Sequence, residues 1–147
     1  MISKTNGGFL ISQIKQRQSR IFERILSEHG IQEFNGAQGR ILFVLWQSDN
    51  IPIVELSHKT GLAKTTLTSM LDRMENAGLL SRTTDPTDRR QLRIVLTEKS
   101  KRLNQEYLNV SAQMNELFYD GFTDEEIQQF ETYLNRIHEN LVQHEES

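Results

Sequence analysis

Apolar positions recur at helical spacing from Phe9 to His29, with Leu10, Ile14, Ile21, Phe22 and Ile25 on one stripe and Gly30 as a stop. The stripe is interrupted by the polar and basic stretch Lys15 to Arg20. A second helix is expected from about Asn35. Asn35 and Gln38 stand in the spacing of a capping box, and Ile41, Leu42, Leu45 and Trp46 follow as one stripe that Asp49-Asn50 breaks. Ile51-Pro52-Ile53 is either extended or enters the next helix with Pro52 near its first turn. Ile53, Leu56 and Thr60 then predict a short helix ended by Gly61. Ala63 to Ala77 predicts another, whose inward stripe is Leu67, Met70, Leu71 and Met74 and whose stop is Gly78.

The period then changes from 3.6 to 2. Leu80, Arg82 and Thr84 alternate with Ser81 and Thr83, and Leu92, Ile94 and Leu96 alternate with Arg93 and Val95. Two strands around the turn residues Asp85-Pro86-Thr87-Asp88 predict a β-hairpin with a projecting tip. From Thr97 the helical period returns. Leu103, Tyr107, Val110, Met114 and Leu117 form one stripe, and Ile127, Phe130, Leu134, Ile137 and Leu141 form another after a second capping box at Thr123 and Glu126. Both have the spacing of coiled-coil seams, on two helices joined by a short turn at Asp120 to Phe122. The expected fold is mainly α with a small β-hairpin. Residues 1–147 read as a single domain, with a winged helix-turn-helix lobe at 34–97 and helical regions at 8–30 and 98–144.

The order helix, turn, helix, hairpin across residues 52–96 is that of a winged helix-turn-helix, and the major groove of DNA admits one α-helix. Opposite the inward stripe of the Ala63–Ala77 helix lie Thr65, Ser69 and Asp72, flanked by Thr68 and Arg73, with Lys64 at the exposed N-terminus beside Thr66. Short hydroxyls let a backbone approach base edges, and Lys64 and Arg73 can reach phosphate or guanine. Asp72 would repel phosphate, so a neighbouring cation is expected to hold it. At the hairpin tip sit Asp85, Asp88, Arg89 and Arg90. An arginine on a projecting loop suits the negative potential of the minor groove, and an adjacent aspartate can orient it. The plainer reading is a solvated helix face and a solvated turn.

Charge changes the picture once it is divided along the chain. The net charge of −3 combines +1 over residues 1–55, +5 over 56–103 and −9 over 104–147. The basic middle coincides with the candidate DNA-reading elements. Absence of cysteine excludes disulfides, thiolate metal sites and thiol redox sensing. No apolar run approaches a membrane span of about 18 residues, and the start lacks a secretory pattern, so no membrane role and a cytoplasmic address are expected. His29, His58, His138 and His144 lack the i, i+4 pairing of a helical metal site, and no nucleophile-base pair or glycine-rich phosphate loop is present. Neither an enzyme nor a cofactor or metal protein is expected.

The run Leu79-Leu80-Ser81-Arg82-Thr83-Thr84-Asp85-Pro86-Thr87-Asp88-Arg89-Arg90, followed by Ile94-Val95-Leu96-Thr97, resembles the signature wing of the MarR (multiple antibiotic resistance regulator) family. Gly61-Leu62, Thr66-Leu67-Thr68 and Leu71 to Leu79 are similar to that family's recognition-helix region. The resemblance covers roughly residues 9–142. It implies a homodimeric regulator, commonly a repressor, on double-stranded DNA, with the first and the last two helices at the dimer interface. It also implies that Asp88 braces the wing while Arg90 enters the minor groove. Ala63 departs from the pattern, because the family usually places a polar cap there.

The resemblance further implies release of DNA by a small aromatic or anionic effector. The candidate residues here are Arg17 and Arg20 for an anion and Phe22 and Trp46 as apolar walls. The same arginines can instead be solvated or pair with the acidic last helix of either chain. An alternative to DNA binding is a winged-helix module that binds protein, which would need neither the basic centre nor arginines at a hairpin tip. Salt dependence separates the two, because each phosphate contacted adds about −0.9 to the slope of log affinity against log salt.

Overall fold

In the computed structural model, which describes residues 4–146, the helices and strands follow the expected order. They are α1 (Gly7–Glu28), α2 (Gly36–Gln47), β1 (Ile51–Pro52), α3 (Ile53–Thr60), α4 (Lys64–Asn76), β2 (Leu80–Thr84), β3 (Leu92–Leu96), α5 (Glu98–Lys101), α6 (Asn104–Phe118) and α7 (Asp124–Glu146). Local chemistry sets most of the boundaries. At the start of α2 the Asn35 side chain accepts from the Gln38 amide at 2.8 Å, and the Gln38 side chain accepts from the Asn35 amide at 3.0 Å. At the end of α4 the chain reverses through Gly78, whose φ of +77° is costly for any residue with a Cβ. The Leu79 amide then donates back to the Met74 carbonyl at 3.0 Å, which closes the helix and aims Leu79 inward.

The stretch Ile51 to Ile53 proves to be both extended and helical: Pro52 caps α3 from the β region, and Ile51 and Pro52 pair with β3. The hairpin is therefore part of a three-stranded antiparallel sheet in the order β1-β3-β2. Its register sets Leu80 opposite Leu96, Arg82 opposite Ile94 and Thr84 opposite Leu92. The helical stretch after Thr97 is also divided, α5 ending before Leu103 and α6 starting at Asn104.

By its contacts the chain forms two compact units, one ending at Met114 and one beginning at Asn115. The core of the first joins Ile41, Leu42 and Leu45 of α2, Leu56 of α3, Leu67, Leu71 and Met74 of α4, and Leu79, Leu80 and Ile94 of the sheet, all essentially inaccessible. Removing side chains of this kind from water is the main stabilising contribution, about 1.5–3 kcal/mol each. The first three turns of α6 belong to this core. Leu103, Tyr107, Val110 and Met114 are buried within the first unit, whereas Leu117 at the end of the same stripe is exposed. The Tyr107 ring lies 5.4 to 6.0 Å from the rings of Phe22, Phe34, Phe43 and Trp46. Gly39 of α2 allows this approach, because a Cβ there would stand 2.6 Å from Tyr107 Cε1. The Trp46 indole N–H donates to the Ser100 carbonyl at 3.0 Å, satisfying its one polar group.

In the second unit Thr123 and Glu126 form the expected capping box of α7, at 2.9 and 3.1 Å. Tyr119 contacts the rings of Phe118, Phe122 and Phe130, and its hydroxyl donates to Glu131 at 2.6 Å. Burial, and then the Glu131 carboxylate, push the phenol up to about 12. The stripe on α7 is half-buried at Ile127, Phe130 and Leu134 and exposed at Ile137 and Leu141. No helix among the described residues is long and apolar enough to cross a membrane.

Candidate nucleic-acid interface

The face of α4 turned away from the core carries the polar residues the periodicity assigns to it. Lys64, Thr65, Thr66, Ser69 and Arg73 are exposed, while Leu67, Leu71 and Met74 point inward. Thr68 differs from its neighbours: it is half-buried, and its hydroxyl donates to the Lys64 carbonyl at 2.8 Å, which ties it to its own helix. At the N-cap, Ala63 lies in the extended region and supplies no side-chain acceptor. The first amides of α4 keep their full attraction for an anion.

Two carboxylates on α4 would oppose that attraction, and both are held by one arginine of the hairpin. Arg82 Nη2 lies 2.7 Å from Asp72 Oδ1 and 2.8 Å from Glu75 Oε1, and the Arg82 amide donates to Glu75 Oε2 at 3.1 Å. The Arg82 side chain, followed by its backbone amide, holds the Glu75 carboxyl below the usual carboxylate range. This is the cation expected for Asp72. It also joins the helix to strand β2.

The hairpin tip is organised around Asp85, which is not an exposed tip residue as the sequence suggests. It is buried, at 6% of its accessible surface. Its Oδ1 accepts from the Thr87 amide at 2.8 Å, the Thr87 hydroxyl at 2.7 Å and the Asp88 amide at 3.2 Å. Its Oδ2 accepts from Arg93 Nη1 at 2.9 Å. The Thr87 bonds first, and then Arg93, hold the Asp85 carboxyl well below the usual range. Asp85 is thus the internal fastener of the loop.

Asp88, one turn further on, accepts from the Arg90 amide and from Arg90 Nε, both at 3.1 Å on Oδ1, and from Nη2 at 3.4 Å on Oδ2. The Arg90 side chain stays 91% exposed in this grip. Arg89 is exposed beside it. The structure therefore brings Lys64, Thr65, Thr66, Ser69 and Arg73 together on α4, and Asp88, Arg89 and Arg90 together on the loop between β2 and β3.

The four residues considered for an effector are not gathered in the same way. Arg17 and Arg20 are exposed on α1, while Phe22 and Trp46 both pack on Tyr107. Phe22 does line a cavity of about 270 Å³ between α1 and α2, whose charged lining residues are Arg40 and Glu23. No group of three or more His, Asp or Glu among the described residues is placed to hold a metal.

A short helix, a second helix presented outward by it, and an antiparallel wing define a winged helix-turn-helix protein. Residues 34–92 match the model of the MarR family. It is similar to the HTH-type transcriptional regulator YsmB of Bacillus subtilis (strain 168), with 38% identity over 97 residues, or 66% of each chain. The chain spans 66% of the length of that relative and 42% of the HTH-type transcriptional regulator TtmR of Methylorubrum extorquens (strain PA1), to which it is 33% identical over 84 residues, 57% of its own length. In fold it resembles a mutant MarR of E. coli solved with operator DNA, with a TM-score of 0.78 and 24% identity over 88% of this chain and 91% of that one.

Proposed function

We propose that the chain is a DNA-binding transcriptional repressor that acts inside the cell as a homodimer, with α4 in the major groove and Arg90 in the minor groove. The observation that carries this reading is Arg90. A surface ion pair contributes little to stability, yet this side chain is fixed in orientation and left open to solvent. An arginine held in that state is prepared for a partner outside the protein, and the minor groove attracts guanidinium. The capture of Asp72 and Glu75 by Arg82 supports the same reading, since it quiets the acidic groups beside the major-groove face. The reading is of a binding protein and not of a catalyst.

Dimerisation is part of this proposal. Phe9, Leu10, Ile11 and Ile14 of α1 are exposed in the single chain, as are Ile137 and Leu141 of α7. Apolar residues in such number on stretches of less than two turns call for a partner surface. Release by a small aromatic anion is the regulatory part, supported by the cavity that Phe22 and Arg40 line, and benzoate is the simplest probe of that class.

Fluorescence anisotropy with duplex DNA from the protein's own upstream region, and with a randomised pool, tests the core of the proposal. Salt-sensitive binding that Arg90→Ala weakens by about ten-fold or more is expected. Full binding by the variant would leave a DNA-binding protein with another wing contact. Binding to no duplex at low salt would overturn the reading.

A further inference from the structure

The basic middle of the chain contains an arginine that the exposed site does not use. Arg93 lies on β3, the central strand, and its side chain is largely covered. Every nitrogen of its guanidinium is engaged. Nη1 donates to Asp85 Oδ2 at 2.9 Å, Nε donates to Asn50 Oδ1 at 2.9 Å, and Nη2 donates to the Asn50 carbonyl. Asn50 is the one non-glycine residue with positive φ among the described residues, at +58°, a region that asparagine tolerates better than most. That backbone turn lets the carbonyl and the side-chain amide oxygen of one residue face the same guanidinium. Asp49 steadies the turn, its Oδ1 accepting from the Asn50 amide at 2.8 Å and from the Leu96 amide at 2.9 Å.

The contacts continue to the tip. Asn50 holds Arg93, Arg93 holds Asp85, Asp85 holds the Asp88 amide, and Asp88 holds Arg90. We propose that Arg93 and Asn50 form a clamp that fixes the direction of the wing from the body of the lobe, so that Arg93 is a positioning residue for Arg90 and not a DNA contact. The inference rests on the proposed role of Arg90. Its chemistry is a planar fork with donors on two edges, one edge given to the wing and the other to the loop before β1. Lysine at position 93 could not bridge both.

The test combines the free protein and the complex. In Arg93→Met, the amides of Thr87, Asp88 and Arg90 are expected to exchange hydrogen faster, while those of Leu67 and Leu71 in α4 stay protected. Affinity for the selected duplex is expected to fall about five- to ten-fold in the otherwise native chain and by less than about two-fold in an Arg90→Ala background, because coupled residues do not add. The slope of log affinity against log salt is expected to fall no further than it does in Arg90→Ala, and to stay unchanged when Arg93→Met is added to that background, whereas loss of a direct phosphate contact by Arg93 would lower it there by about 0.9. Asn50→Gly keeps the backbone turn and carbonyl but removes one acceptor, so a smaller change in the same direction is expected.

Unchanged exchange at the tip, equal losses with and without Arg90, or a further shallowing of the salt slope in the Arg90→Ala background would each overturn the clamp. Should the native chain bind no duplex, the regulator reading falls while the exchange measurement still judges the clamp.

Discussion

Ala63 shows how far one residue can be argued. It holds the N-cap position of α4 with extended backbone, φ −62° and ψ 146°, and gives no side-chain acceptor to the amides beyond it. A serine there can accept from one of those amides. We expect Ala63→Ser to raise stability by ~0.5–1 kcal/mol, read as an upward shift of the thermal midpoint, and a melt without gain would retire the cap argument. The same serine would compete with a phosphate for the free amides, so stability and DNA affinity are expected to move in opposite directions. At this scale the sequence was legible where the chemistry is local. The capping boxes of Asn35 with Gln38 and Thr123 with Glu126 follow from spacing alone and form as read. Asp85 was misplaced for the opposite reason, because its burial depends on Arg93 across the hairpin and on the fold of Thr87 back over it. Asn50 left only the trace of a breaker pair with Asp49, and its partner Arg93 lies 43 residues away.

Among the elements, the wing carries the clearest dependence on pH. The Asp85 carboxyl titrates below its ordinary value in the folded chain, through the Thr87 bonds first and Arg93 after them. The unfolded chain therefore binds the proton more readily, starting near the ordinary aspartate value of about 3.9. Stability from this group is fully present above that region and is lost as pH falls through the lower folded value. Asp85→Asn lacks that contribution at every pH. The difference in urea midpoint between the native chain and the variant is expected to be constant from neutral pH to about 4 and to narrow below it. A constant difference down to pH 2 would remove Asp85 as the fastener. Elements long enough to show a period were readable, as α4 and the two hairpin strands attest. Strand β1 has two residues and exists only because β3 is beside it, so no period could announce it. The break between α5 and α6 falls at Arg102-Leu103, neither of which is a helix breaker, and the stripe Leu103 to Met114 reads as a helix-helix seam although it packs into the lobe.

For the whole molecule, the division of charge and of apolar surface argues for assembly. Residues 56–103 carry +5 and residues 104–147 carry −9, so the charge that would attract DNA and the charge that would repel it fall on different segments of the chain. The exposed Ile137 and Leu141 of α7 lie in that acidic segment, whose negative charge would repel a nucleic acid. Sedimentation at micromolar concentration is expected to give about twice the chain mass of 17.1 kDa. Leu141→Asp is expected to shift the population to the single chain, since it replaces an apolar contact of about 1.5–3 kcal/mol by a carboxylate. A native chain that sediments as one copy would end the dimer proposal, and with it the expectation of two half-sites about 10 bp apart.

The packing of Tyr107 has one last consequence. Trp46 is the only tryptophan in the chain, and it stands 5.4 Å from Tyr107 while donating to the Ser100 carbonyl at the turn into α6. The molecule therefore carries its own optical reporter, a lone indole whose emission is set by the joint between α2 and the α5–α6 turn. Any event that shifts that joint is expected to change the intrinsic fluorescence without a label.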